Sequence, residues 1–218
     1  MINLNLVKWF IAISVVCLII GAFVAEPLYH ALLSFLPAGI KFIATSPTDG
    51  FIILMYLGLG VSIGLLGFTF SAFGVLYLKD ALYKKEKNFL LWSLLPASFL
   101  FVFGTLFGFL LYTQILMPFF IETNSSMGIE NFFNLFSVIS NLVVMSVLIG
   151  ICFELPLVLR GLITLGFIEA KKLRESRGII FFIIFFVAAV IVPTPDILSS
   201  GLVALPLYVL FEVSLIGL

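Results

Sequence analysis

Residues 132–164 read FFNLFSVISNLVVMSVLIGICFELPLVLRGLIT. Between Phe132 and Leu159 the only charge is Glu154. A helix needs about 20 apolar residues to cross roughly 30 Å of hydrocarbon, and this run exceeds that. Its apolarity is continuous rather than alternating, which excludes a barrel strand. It reads as a membrane-spanning helix with one ionisable group inside it.

Working outward, five more stretches have the same character: Trp9–Ala25, Phe51–Leu78, Phe89–Met117, Ile179–Val192 and Ile197–Leu218. The composition agrees. Of 218 residues, 63% are hydrophobic and 10% charged, with 26 Phe, and the mean hydropathy is +1.32. Soluble domains are about 45–50% apolar and about 25% charged. A soluble enzyme, a secreted disulfide scaffold, a disordered segment and a nucleic-acid-binding domain are all excluded. The expectation is a single all-α membrane domain, residues 1–218, with six spans. The first span reads as a retained helix, since the residues at Phe23 and Ala25 make a poor signal-peptidase site. Cys17 and Cys152 each sit in an apolar run and read as buried small hydrophobes.

Charge placement sets the orientation. Lys79, Lys84, Lys85 and Lys87 lie in one loop, and Lys171, Lys172, Arg174 and Arg177 in another. With Lys8 and Arg160, ten of the eleven cations fall on one side, and Lys41 alone on the other. The positive-inside rule puts both termini and both basic loops in the cytoplasm. On the opposite side the expected connections are Glu26–Gly50, Pro118–Asn131 and the turn Pro193-Thr194-Pro195-Asp196. A short interfacial helix is expected over Leu28–Phe35, and Asp196 is placed to cap the last helix. The fifth span has only 14 residues, about 21 Å, which is short of the bilayer.

Few residues offer chemistry. Glu154 lies two residues before Pro156 and six before Arg160, so it sits on the basic side of the midplane. Pro156 has no N–H for the carbonyl of Cys152, so a kink is expected there. An ionisable group in a span faces either a polar cavity or a packing partner, and both remain open for Glu154. Glu212 lies near the basic end of the last span, where a carboxylate can snorkel. Glu86 stands among Lys84, Lys85 and Lys87. It is either a solvated loop residue or an acceptor for a guanidinium-bearing ligand. His30 is a lone histidine, so no metal site is expected, and no phosphate-cradling or triad motif occurs. No cofactor and no catalytic residue are implied. Glycines at Gly60, Gly64 and Gly67, and at Gly104 and Gly108, read as close-packing points between helices.

Taken in order, Phe153-Glu154-Leu155-Pro156, Gly166, the basic loop, the Pro193–Asp196 turn, Pro206 and Leu210-Phe211-Glu212 resemble the TatC family. Ala81-Leu82-Tyr83-Lys84-Lys85-Glu86-Lys87 resembles that family's first basic loop. The resemblance covers nearly the whole chain from about residue 9. It implies the core receptor subunit of the twin-arginine translocase, folded as a curved, glove-like wall of six helices in a prokaryotic cytoplasmic membrane. It implies that Glu86, with Tyr77, Lys84 and Lys87 around it, binds twin-arginine signal peptides of folded precursors. Glu154 and Pro156 would mark an intramembrane polar site. Pro195, Asp196 and Glu212 would belong to the outer turn and to the last two helices, which dock TatA/TatB-like single-span proteins in a multi-copy complex. The proton-motive force would drive export. The family's His-Leu-x-Glu-Leu-Arg segment has no counterpart in Met1–Lys8. Two rival readings are a proton-coupled small-molecule transporter using Glu154, and a scaffold that binds no signal peptide.

Overall fold

The computed structural model describes residues 4–36, 40–78, 84–164, 166–193 and 196–215, with side chains described outside 4–7, 67–95 and 170. The regular structure of the described residues is helical apart from two short strands. Among the described residues, five helices are long and apolar enough to cross a membrane: Lys8–Phe35, Asp49–Leu66, Pro96–Ser126, Leu135–Thr164 and Ile197–Leu215. A shorter apolar helix, Arg177–Ile191, has 15 residues, about 22 Å. The all-α membrane class therefore stands as expected, and the fifth apolar stretch folds as a short helix. The contacts divide the chain into two units, Met1–Phe73 with Leu106–Val147, and Gly74–Thr105 with Leu148–Leu218.

In the first unit, α1 (Leu4–Phe35) runs without interruption through Pro27. The separate helix expected over Leu28–Phe35 is thus the end of the first span. Pro27 lies 19 residues beyond Lys8, about 28 Å along the axis. At that depth water can satisfy the carbonyl that proline leaves without a donor. α1 touches α2 (Asp49–Leu78) where neither helix has bulk. A Cβ on Gly58 would stand 3.2 Å from the Gly21 carbonyl oxygen, and one on Gly21 would strike the Ser62 hydroxyl. That hydroxyl donates to the carbonyls of Gly58 and Cys17, at 2.6 and 3.2 Å. Cys17 is buried as expected, whereas Cys152, in the other unit, is only half-buried.

The second proline correction is at Pro118. The expected connection from that residue is instead helix: α3 (Lys84–Leu111) passes through a π turn, Tyr112–Leu116, into α4 (Met117–Ser126). The Met117 amide donates to the Tyr112 carbonyl, five residues back. This widened turn lets the chain carry a proline without stopping. α4 ends at Gly128, whose φ is 74°. The Gly128 amide donates to Ser125 and that of Ile129 to Asn124, the paired closing bonds of a glycine-terminated helix.

The connections on this side are not bare loops. β1 (Lys41–Ile43) pairs in parallel with β2 (Phe132–Asn134), with Lys41 opposite Phe132. The Lys41 ammonium lies 5.6 Å from the centre of the Phe132 ring. α2 starts on a capping box built from Ser46-Pro47-Thr48-Asp49. The Ser46 hydroxyl accepts from the Thr48 amide, and Asp49 accepts from the Ser46 amide at 3.1 Å and the Thr45 amide at 2.8 Å. Asn134 ties this box to the next helix. Its amide nitrogen donates to Thr45 Oγ1 at 2.5 Å. Its oxygen caps α5 (Leu135–Phe153) by accepting from the Ser137 amide at 2.8 Å.

In the second unit, α5 breaks at Glu154 and resumes as α6 (Leu155–Thr164). α6 stops at Gly166, with φ 76°. The amides of Gly166 and Phe167 close back on Ile163 and Leu162, the same terminator as at Gly128. After the short α7 (Ala170–Glu175) come α8 (Arg177–Ile191) and α9 (Ile197–Leu215). Both α6 and α8 pack against α9.

Candidate functional site

The break at Glu154 follows from the expected cause. Pro156 offers no N–H to Cys152, and the Glu154 amide turns back to Ile151 at 3.1 Å. The chain resumes when Leu157 and Val158 both donate to the Glu154 carbonyl at 3.0 Å. The helix before the break is clamped. A Cβ on Gly104 would lie 2.6 Å from Phe153, and one on Gly150 would lie 2.5 Å from the Thr105 hydroxyl. The buried Phe153 ring also meets Phe103 at 5.8 Å. Gly104 thus marks close packing as expected. Gly60 does so in the first unit, where a Cβ would stand 2.7 Å from Val143.

Glu154 therefore emerges where a fixed helix ends and a redirected one begins. Its side chain is half-buried. Among the described residues its carboxylate makes no hydrogen bond or ion pair. Pro156, also half-buried, opens the redirected turn.

Glu212 is the opposite case. One carboxylate oxygen is 3.1 Å from an Arg177 guanidinium nitrogen, and the other accepts from the Tyr208 hydroxyl at 2.8 Å. Tyr208 meets Phe181 of α8 edge-on, at 5.2 Å between ring centres. Arg174 donates to the Leu215 carbonyl at 3.4 Å. These groups join the start of α8 to the end of α9, both at the basic side of the chain. Neither Arg177 nor Tyr208 was singled out by the sequence as a partner of Glu212, although Tyr208 and Glu212 stand one helical turn apart.

At the other end of the pair, Asp196 caps α9 as expected. Its carboxylate accepts from the Ser199 amide at 2.8 Å, and its carbonyl accepts the first helical bond from Ser200. The Ser199 amide holds the exposed Asp196 carboxyl below the usual carboxylate range. Asp49, buried in its box, is a structural carboxylate that the sequence analysis did not single out. The pattern Ser-Pro-Thr-Asp was its signal.

Four expected signal-binding residues, Tyr77, Lys84, Glu86 and Lys87, have side chains outside the described residues, as does Pro195. Tyr77 falls on α2, and Lys84, Glu86 and Lys87 fall on the first turn of α3.

Helices of membrane-spanning length, a proline-broken span whose carboxylate has no partner among the described residues, and a short, tied helix pair define a polytopic helical membrane protein. Comparison with known proteins makes it specific. The family model for "Sec-independent protein translocase protein (TatC)" matches residues 3–206. The chain belongs to the TatC family. A relative of that name from Desulforapulum autotrophicum is 30% identical over 219 residues, covering 98% of this chain and 79% of that one. Another, from Deinococcus radiodurans, is 34% identical over 140 residues, 64% of this chain. That match spans about half of the relative's length, 52%. A crystal structure described as the twin arginine translocase receptor TatC superimposes with a TM-score of 0.75 at 25% identity, covering 98% of this chain and 96% of that one. The chain is a core membrane subunit of the Sec-independent translocase, a multi-pass protein of the prokaryotic inner membrane. These comparisons support that reading over the small-molecule transporter and the scaffold.

Proposed function

We propose that this chain receives twin-arginine signal peptides at its basic side and hands folded precursors to a translocation complex driven by the proton-motive force. The observation that carries this reading is the likeness to a twin-arginine translocase receptor over 98% of the chain. In this reading both termini and both basic loops are cytoplasmic. Glu86 accepts the guanidinium groups of the signal peptide, since a carboxylate gives bidentate, charge-assisted bonds that an ammonium cannot match. Tyr77, Lys84 and Lys87 border that contact. The apolar segment of the signal then runs along the membrane toward Glu154, whose carboxylate, without a partner among the described residues, can hold water below the interface. The short α8 and its partner α9 form the docking face for TatA/TatB-like single-span proteins. Glu212 acts there by tying the two helices, and Asp196 with Pro195 shapes their outer turn.

Photocrosslinking tests this directly. A photoreactive residue at position 86, in membranes, should capture a twin-arginine precursor and lose it when the arginine pair is replaced by lysines. Equal capture of both precursors would remove position 86 from signal recognition. Glu86→Ala should weaken precursor binding about tenfold, as expected for one charge-assisted contact, with the amount of protein in the membrane unchanged.

A further inference from the structure

Between α1 and α2 the first unit holds an open groove of about 350 Å³. Leu18 and Ala22 line it from α1, Phe51, Met55 and Leu59 line it from α2, and Glu26 stands at one end. The groove exists because Gly21 and Gly58 let the two backbones touch at its base. The base is effectively apolar, because the Ser62 hydroxyl is already committed to the carbonyls of Gly58 and Cys17.

Depth places this groove in one leaflet. Glu26 lies 18 residues beyond Lys8 on the same helix, about 27 Å. That is close to the hydrocarbon thickness of roughly 30 Å, so Glu26 sits at the interface opposite the basic loops. From Glu26 the groove runs inward to Leu18 on α1 and from Phe51 to Ser62 on α2, about 12 to 16 Å. That is the depth of a single leaflet. Its wall residues Leu18, Phe51, Met55 and Leu59 are exposed on the protein surface.

The dimensions favour a slender occupant over a helix. A helix is about 10–12 Å across, and a 12 Å length of it would occupy roughly 900 Å³. An acyl chain fits. The charge then selects the headgroup. Glu26 is exposed and has no ion pair among the described residues. At headgroup level a carboxylate repels a purely anionic phospholipid and accepts hydrogen bonds from a protonated primary amine. A trimethylated ammonium has the charge but no N–H to donate. We propose that the α1–α2 groove binds a phospholipid with a primary ammonium headgroup, one acyl chain lying along the groove and the ammonium on Glu26.

The test is native mass spectrometry of the full chain in detergent with three phospholipids of identical acyl chains, bearing ethanolamine, choline or glycerol headgroups. The ethanolamine lipid should bind about fivefold more tightly than the choline lipid, with the glycerol lipid weakest. Glu26→Gln should bring ethanolamine down to the choline level while leaving both bound. Ala22→Phe, a lipid-facing apolar exchange, should weaken all three about tenfold with the melting temperature unchanged. Equal binding of the three headgroups to the unaltered protein, or indifference to Ala22→Phe, would overturn the assignment. A photoreactive residue at Met55 in native membranes should label lipid, and a polypeptide adduct in its place would also overturn it.

Discussion

Glu154 and Glu212 are both carboxylates in membrane-spanning helices of the same unit, and the protein treats them in opposite ways. Glu212 has an arginine on one oxygen and a tyrosine on the other. Glu154 has no such partner among the described residues, although the helix leading to it is clamped through Phe153. An ionisable group in a span that has no partner among the described residues is left to water or a ligand. The difference separates holding from working. Glu212 joins two helices, and in the proposed reading Glu154 stays available to water and to the signal peptide.

The comparison can be broken most severely at the clamp. Gly104→Val would drive side-chain atoms into Phe153 and separate α3 from α5, costing about 1–3 kcal/mol. Thermal melts in detergent should show a clear drop, and an unchanged melt would mean that the helix before Glu154 is not fixed. Next comes the tie. Arg177→Ala leaves the Glu212 carboxylate with Tyr208 alone, and about 1 kcal/mol of stability should be lost, since the pair is partly exposed. A double-mutant cycle with Glu212→Gln should show the two losses overlapping. Strict additivity would dissolve the tie.

Asp196 gives a comparable but pH-dependent effect. Asp196→Ala removes the α9 cap and should cost about 1 kcal/mol at neutral pH. The Ser199 amide depresses the folded-state pKa of Asp196. Its stabilisation is therefore complete above the unfolded value and fades as pH falls through the lower folded one. The melting difference between the two proteins should be flat from neutral pH to about pH 5 and shrink in stronger acid. A difference that persists unchanged into strong acid would show that the carboxylate charge is not what caps the helix. The smallest stability effect belongs to Glu154→Gln, which should stay within about 0.5 kcal/mol, because no described partner is lost.

Hydropathy made the long apolar helices and the short one before the last legible, because a bilayer demands apolar runs whatever the packing. Proline is the ambiguous signal. At Pro27 and Pro118 the chain continues as helix, through hydration at an interface and through a π turn. At Pro156 it breaks, where the missing N–H leaves the Cys152 carbonyl without its helical donor and the Glu154 amide turns back to Ile151. The Asp196 cap could be read locally, from an aspartate directly before an apolar run. The Arg177–Glu212 tie spans 35 residues and depends on how α8 lies on α9, which no spacing rule encodes. The capping box at Asp49 is local, carried by the pattern Ser46-Pro47-Thr48-Asp49.

The most direct measurement puts Glu154→Gln and Glu212→Gln side by side in membranes and scores melting temperature, crosslinking to a twin-arginine precursor, and precursor transport. The account predicts that Glu154→Gln keeps its melting temperature and crosslink but loses transport, whereas Glu212→Gln lowers the melting temperature. A Glu154→Gln protein that melts early and still transports would contradict it.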